Sequence, residues 1–255
     1  MIGRKLIHYA EVDSTNSVAD QLARCGEPAG TVVTANSQTH GQGRLDRRWF
    51  SPPDGGLWFT VILRPKTEPE ITVQMTLLAA VAGCIGIEKA TGIRPGIKWP
   101  NDLLVRGKKI CGILCEMEAA ETVEYVLLGI GINANVKEQD FGADLQTTAT
   151  SLALESGRNV DGVQLLQEVL NQLDLWYDRW LTEGFSVLRK AWKERNITLN
   201  RQIEVDCGDT VVVGQAIDID GEGALLVQTL DGSEQRFLFG EVSIRCLEGS
   251  DQSCG

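Results

Sequence analysis

Four short strings in this 255-residue chain carry residue types that could act together on a charged small molecule. Gly41-Gln42-Gly43-Arg44-Leu45-Asp46-Arg47-Arg48-Trp49 mixes glycines, which let backbone amides approach a ligand, with arginines, whose planar forks suit phosphate oxygens. Lys98-Trp99-Pro100-Asn101-Asp102 sets a carboxylate beside a lysine where proline ends a strand, so that Asn101 and Asp102 emerge at its edge. Such a pair could hold a metal ion or take a proton from an amine; it could equally be a surface ion pair of little energetic weight. Lys108-Lys109-Ile110-Cys111-Gly112-Ile113-Leu114 puts Lys109 just ahead of an apolar strand, able to carry charge into a pocket. Gly129-Ile130-Gly131-Ile132-Asn133-Ala134-Asn135 has glycines inside a strand, a mark of close approach by a ligand or another backbone. Asn133, at that strand's end, could read an adenine edge by paired donor and acceptor. The string lacks the third glycine and the helix of a dinucleotide fingerprint.

These strings need elements to hold them. The cluster Asp13-Ser14-Thr15-Asn16 starts a helix, with Val18 and Leu22 on one face and Gly26 and Pro28 as its stop. Residues 30–35 form a β-branched strand, 39–56 a long loop, and 57–63 an apolar strand. Val73, Leu77, Ala80, Cys84 and Ile87 recur at three to four residues, which predicts an amphipathic helix over 71–90. Strands follow at 96–99, 110–117 and 123–132. Helices follow at 163–180 and 185–195. The composition changes after Ile197 into short strands at 202–206, 210–219, 224–230, 236–239 and 242–247. Asp220-Gly221 and Asp231-Gly232 sit between them as hairpin turns. Five short strands in about 50 residues suggest a small β-barrel of its own. The expected class is α+β: a mixed, mostly antiparallel sheet with helices mainly on one face, then a C-terminal β-barrel.

Charge narrows the function. Asp and Glu outnumber Lys and Arg by 35 to 24, a net charge of -11, which argues against a general nucleic-acid binder. Within this acidic chain, residues 39–66 hold five basic residues against two acidic ones, and residues 94–110 hold five against one. Two basic islands of this kind suit a small anion such as a nucleotide, although basic runs can also simply face water. The apolar run 75–87 is too short to span a bilayer and reads better as a buried helix, and residues 1–14 hold no secretory signal, so no membrane partner is expected. Seven cysteines, an odd number without paired short spacings, fit a reducing cytoplasm better than a disulfide framework. Cys111 and Cys115 read as small buried hydrophobes, because no histidine lies near them in sequence.

In this order and spacing, the motifs resemble the biotin protein ligases, from Asp13-Ser14-Thr15-Asn16 through to Gly240-Glu241-Val242-Ser243-Ile244-Arg245. The resemblance implies ATP-dependent biotinylation of a lysine on a biotin carboxyl carrier protein, through biotinyl-5'-AMP with Mg²⁺ on the phosphates. It implies that Ser14, Thr15, Gln38 and the backbone of Gly41 and Gln42 hold the ureido ring of biotin. Trp58, Gly112, Leu114 and Gly129 would line the slot for its thiophane ring and valeryl chain, with Lys109 also on the biotin side. Arg44, Arg47, Trp49, Asn101, Lys109 and Asn133 would meet ATP. Arg44, Lys98, Asp102 and Lys109 would be catalytic, with Asp102 orienting or deprotonating the acceptor amine and also the candidate metal ligand.

The family loop reads Gly-Arg-Gly-Arg-Arg-Gly; this chain departs from it at Gln42, Leu45 and Asp46, and Asp46 adds a negative charge beside phosphates. The biotin motif begins at Asp13, leaving no room before it for the DNA-binding helix-turn-helix of some relatives, so a monofunctional ligase is expected. The resemblance implies a catalytic domain over 1–197, an SH3-like domain over 198–249 and a homodimer through sheet edges. Residues 40–48 and 105–109 are expected to be mobile without ligand and to close over the adenylate. The alternatives are a lipoate–protein ligase, which shares the fold and the adenylate logic, and a biotin sensor without transfer activity.

Overall fold

The computed structural model describes residues 1–68, 71–208 and 210–244. The end of the last expected strand (245–247), the end of the expected C-terminal domain (245–249), Cys246 and Cys254 lie outside them.

The chain builds β1 (Lys5–Val12), α1 (Thr15–Arg24), β2 (Thr31–Gln38), β3 (Leu57–Leu63), α2 (Thr72–Thr91), β4 (Gly96–Lys98), β5 (Asp102–Val105), β6 (Lys108–Ala119) and β7 (Val123–Ile132). There follow α3 (Ala143–Gln146), α4 (Leu152–Ser156), α5 (Gly162–Glu183), α6 (Phe185–Lys193), β8 (Gln202–Asp206), β9 (Val211–Ile219), β10 (Leu225–Thr229), β11 (Glu234–Phe237) and β12 (Glu241–Ile244). The first seven strands form one sheet in the order β1-β2-β3-β7-β6-β5-β4. Only the β1–β2 pair is parallel.

Alternation along the strands gives this sheet two different faces. Phe59, Val61 and Leu63 of β3 and Val126, Leu128, Ile130 and Ile132 of β7 belong to the main core, together with α2, α5 and α6. Ile62 and Leu127 point the other way and pack under α1 with Ala19, Ala23, Val33 and Tyr125. Beyond that small cluster, the second face carries Thr60, Gly129, Gly131, Gly112 and Leu114, and the site is built there. Helix α1 therefore stands on the site face, opposite the other long helices.

Helix α2 is buried along the apolar run 75–87, as expected, and on more than its amphipathic stripe. Met75, Thr76, Leu77, Leu78, Ala79, Ala80, Val81, Ala82, Gly83 and Cys84 are all buried, so the helix has almost no solvent face. It is wedged between the sheet and α5, where Val169 lies so close to Gly86 that a Cβ there would fall 2.7 Å from its Cα. By length and apolarity α2 could cross a bilayer, but 67% of its most apolar stretch is buried within the protein.

The last five strands pair antiparallel in the order β11-β10-β9-β8-β12. Among the described residues β11 and β12 do not pair, so the expected barrel stays open at that point. Its apolar face is also less independent than the sequence suggests. Ile203, Val205, Ala216, Ile219, Leu225, Val227 and Val242 join the same core as Ile97, Trp99 and Trp192. Trp99 fastens the join twice, its backbone N–H donating to Thr198 Oγ1 at 2.9 Å and its indole N–H to Gly223 O at 3.2 Å.

Candidate active site

One row across the sheet explains most of the site. Register pairs Trp58 with Gly131, Gly131 with Gly112, Gly112 with Asp102 and Asp102 with Lys98. The next row pairs Thr60 with Gly129 and Gly129 with Leu114. The glycines leave a bare floor between these side chains. A Cβ on Gly131 would lie 2.3 Å from Trp49 Nε1, one on Gly112 2.7 Å from the Trp49 ring, and one on Gly129 2.2 Å from Asn16 Oδ1. Lys109 reaches the same face because β6 carries a bulge: the partner of Leu103 is Cys111, whereas that of Leu104 is Lys109. The extra residue, Ile110, turns Lys109 onto the side of Gly112.

Two cavities meet there. The inner one is small and has on its walls Ser14, Thr15, Gln38, Gln42, Gly112, Leu114 and Gly129, all expected biotin contacts, together with Asn16. The outer one, about 520 Å³, takes in Arg47, Lys98, Asp102 and Asn133. Gly43, Arg44, Trp49, Asn101 and Lys109 line both. In the outer cavity five cations, Arg44, Arg47, Arg48, Lys98 and Lys109, face the carboxylates of Asp102 and Glu241, inside a chain of net charge -11.

The inner end is polar and tied together. Ser14 caps α1, accepting from Asn16 N–H at 3.2 Å and lying 3.5 Å from Gln42 Oε1. The Thr15 N–H donates to Gln38 Oε1 at 2.8 Å, and Gln38 Nε2 donates to Ser51 Oγ at 2.8 Å. Gly41 sits just behind the wall, where a Cβ would fall 2.5 Å from Trp49 O. Trp58 does not line either cavity. Its ring packs edge-on to Trp49 at 6.4 Å and against Val136 and Phe141, so it backs the wall that Trp49 forms.

At the shared wall, Lys109 Nζ lies 2.5 Å from Asp102 Oδ1 and 5.2 Å from the centre of the Trp49 ring. Lys98 Nζ lies 3.6 Å from Asp102 Oδ2. Asp102 begins β5 in a hairpin with β4 rather than emerging at a strand edge. As a metal ligand it does not fit. Both its oxygens face ammonium groups, and among the described residues no group of three acidic, histidine or cysteine side chains could hold an ion. Arg44 donates to Asn101 Oδ1 at 3.1 Å and to Gly240 O at 3.3 Å. Burial pulls its pKa down, while Asp102 and Glu241 oppose that by favouring the charge. Asn101 Nδ2 donates to Ile113 O, so Asn101 orients Arg44 as well as lining both cavities.

The glycine–arginine loop is a hairpin closed by backbone hydrogen bonds. Gly43 N–H donates to Arg47 O at 2.7 Å and Trp49 N–H to Gly41 O at 2.8 Å. Its turn holds Leu45 and Asp46 at φ 55° and 57°, left-handed conformations that glycine adopts more readily. Arg47 makes a bidentate pair with Glu241 of β12, one arm at 2.7 Å, which raises the arginine pKa. Asn133 spends one amide hydrogen on Thr150 O at 3.1 Å, pinning the segment beside α3. Phe141 and Leu145, from that segment, complete the apolar side of the outer cavity. Of the two cysteines expected to be buried, Cys111 is buried and Cys115 half-buried; burial pushes the Cys84 and Cys115 thiols up to about 12 and raises Cys111 also.

The chain is similar to known proteins over most of its length. Residues 9–133 match the Biotin/lipoate A/B protein ligase family, and residues 198–245 match the Biotin protein ligase C terminal domain. The chain is 40% identical to the Bifunctional ligase/repressor BirA of Bacillus spizizenii, over 91% of this chain and 72% of that protein. It is 33% identical to the Biotin--[acetyl-CoA-carboxylase] ligase of Paracoccus denitrificans, over 86% and 92%. The chain belongs to the biotin protein ligase family. Among solved structures, the biotin protein ligase from Aquifex aeolicus in complex with biotin and ATP superposes with a TM-score of 0.82 at 28% identity, covering 95% of this chain and 99% of that one.

Sequence reasoning missed Asn16, Thr60, Glu116, Phe141 and Leu145. Asn16 carried a signal, since a short polar amide inside the first turn of a helix is poorly placed unless it has a partner. So did Glu116, which alternation places on the same face as Gly112 and Leu114.

Proposed function

We propose that the chain activates biotin with ATP and passes it to a lysine of a biotin carboxyl carrier protein. The observation that carries this reading is the wall common to both cavities, formed by Arg44, Asn101, Lys109 and Trp49. Two ligands filling the two cavities would touch only there, at the two side chains best able to balance negative charge.

The inner cavity suits the biotin head, with Ser14, Thr15, Gln38 and the backbone around Gly41 and Gln42 toward the urea, and the floor of Gly112, Leu114 and Gly129 toward the ring and chain. The outer cavity suits ATP, which would arrive with its Mg²⁺ as part of the substrate. In the first step a biotin carboxylate oxygen attacks the α-phosphorus. The bond to the bridging oxygen breaks, and pyrophosphate leaves. Arg44, Arg47, Lys98 and Lys109 gather where that charge accumulates, so catalysis is mainly electrostatic and positional. In the second step the neutral acceptor amine attacks the acyl carbon, AMP leaves with the shared oxygen, and the proton lost from the amine passes to solvent. Lys109 stabilises the acyl oxygen and the departing AMP. Asp102, whose oxygens face Lys98 and Lys109, orients the amine.

We further propose a cytoplasmic enzyme, a catalytic part over 1–197, a C-terminal part over 198–249 that lends Gly240 and Glu241 to the arginine loop, and a homodimer. The test is ATP–pyrophosphate exchange with biotin or lipoate, followed by labelling of a carrier domain. Biotin-dependent exchange with transfer is expected. Exchange with lipoate alone would overturn the substrate, and exchange without transfer would favour a sensor.

A further inference from the structure

Glu116 and Asn16 lie outside the contacts assigned to biotin, yet they join a chain of side chains that ends in the inner cavity. Asn16 Nδ2 donates to Glu116 Oε2 at 2.6 Å. Thr60 Oγ1 lies 2.5 Å from Asn16 Oδ1 and 2.8 Å from Thr15 Oγ1. Thr15 Oγ1 lies 3.2 Å from Gln38 Oε1. Thr15, Asn16 and Thr60 are all buried, so their polar groups depend mainly on one another.

Counting protons fixes a direction. A carboxylate only accepts, so the Asn16 atom facing Glu116 must be the amide nitrogen. The other end of that amide, Oδ1, only accepts, so it takes the single hydroxyl proton of Thr60. Thr60 Oγ1 faces Thr15 Oγ1 as a donor too, at 2.8 Å, but its one proton is drawn to the nearer Asn16 Oδ1 at 2.5 Å. The Thr15 N–H and O–H both donate to Gln38 Oε1, at 2.8 and 3.2 Å. With the Thr60 proton held on Asn16, the Thr15 oxygen keeps its lone pairs for a ligand in the cavity; were the Asn16 amide turned round, the Thr60 proton would move onto Thr15 and occupy one.

We propose that Glu116 is a positioning residue that, through Asn16 and Thr60, holds the Thr15 hydroxyl as an acceptor and so selects a ligand head bearing N–H. This rests on the biotin reading and deepens it. A cyclic urea supplies the N–H; a dithiolane does not, and would leave Thr15 unpaired in a buried site. Gly129 belongs to the device, since any Cβ there would displace the Asn16 amide.

The experiment is calorimetric titration of the full chain with biotin in the absence of ATP, so that it does not depend on turnover. Glu116 is exposed at one end, so its replacement leaves the core packing intact. Glu116→Lys replaces an obligate acceptor with an obligate donor and reverses the relay; about a tenfold weaker biotin affinity is expected. Glu116→Gln permits both directions and should lose less. In a Thr15→Val background, Glu116→Lys should cost nothing further, which a merely structural role would not produce. Unchanged affinity in Glu116→Lys, or the same loss with and without Thr15, would overturn the relay. Failure of the ligase reading shows separately, as biotin binding without pyrophosphate exchange. No binding of biotin by the unaltered chain would overturn both.

Discussion

Lys109→Ala removes the charge on which both proposed steps depend. A unit charge at roughly 4 Å from a developing charge, in an effective dielectric of about 20, is worth about 4 kcal/mol. The Lys109 side chain is 32% exposed, so water already screens part of this, and about 3 kcal/mol is a fair share. Each ~1.4 kcal/mol is a factor of ten, which puts the loss of adenylation rate at about a hundredfold. Folding should suffer far less, by about 1 kcal/mol, because Asp102 keeps Lys98 at 3.6 Å. Biotin-dependent pyrophosphate exchange at saturating ATP reads the first step. Transfer from synthetic biotinyl-5'-AMP to a carrier domain reads the second, and both should fall. Lys109→Arg keeps the charge with a different donor geometry and should recover part of the rate. An exchange rate for Lys109→Ala within about threefold of the unaltered chain, with the fold intact, would refute the proposed clamp.

Gly131→Ala drives a methyl to 2.3 Å from Trp49 Nε1, so Trp49 must shift; a cost of about 1–3 kcal/mol and weaker biotin binding are expected, with Gly221→Ala, which meets nothing within 4 Å, as the control. A thermal midpoint and a biotin affinity equal to the control would contradict the close packing. Hydrogen exchange over residues 40–48 and 105–109 should slow when biotin and ATP are both present; equal protection in both states would count against closure over the adenylate. The Asp231 carboxyl, held by the Thr229 hydroxyl and by the Ser233 N–H and O–H, has its pKa lowered from an ordinary 3.8 to about 2. Its contribution to stability is therefore complete above about pH 4 and is lost as pH falls toward 2, which NMR titration of that carboxyl and acid unfolding of Asp231→Asn would check. A carboxyl titrating near its ordinary value would dismiss the hydrogen bonds at that turn.

The sequence was most legible where alternation and turn chemistry were strong. The bounds of β3 and β7 follow directly from their apolar runs, and the helix start at Ser14 follows from its capping side chain. Strand β1 was not read, because as an edge strand it is mostly exposed and shows no clean alternation. Helix α2 was legible in part: the apolar run 75–87 reads as a buried helix, and apolar residues between the positions of its amphipathic stripe carry the burial round nearly every side. Among site residues, glycines within strands and charges beside them marked the floor and the wall. What stayed hidden was direction. No pattern in the sequence shows that a bulge at Ile110 turns Lys109 inward, or that Trp58 is screened by Trp49. The pairing of Asp102 with Lys98 was legible in their shared string, whereas its shorter pair with Lys109, which argues against a metal there, depends on the bulge in β6.

The single core that runs from α2 through Trp99 into the last sheet has a consequence for how this protein would fare in a cell. The wall shared by the two cavities is met on one side by Gly240 and Glu241, so a molecule seated there would touch both parts of the chain. Every increment of occupancy then raises the stability of the whole chain by RT ln(1 + [L]/Kd). Proteolysis acts on the opened form, so the lifetime of the protein would rise and fall with its small-molecule supply. Such a protein would be a gauge of that supply through its own abundance, with no separate sensing domain needed.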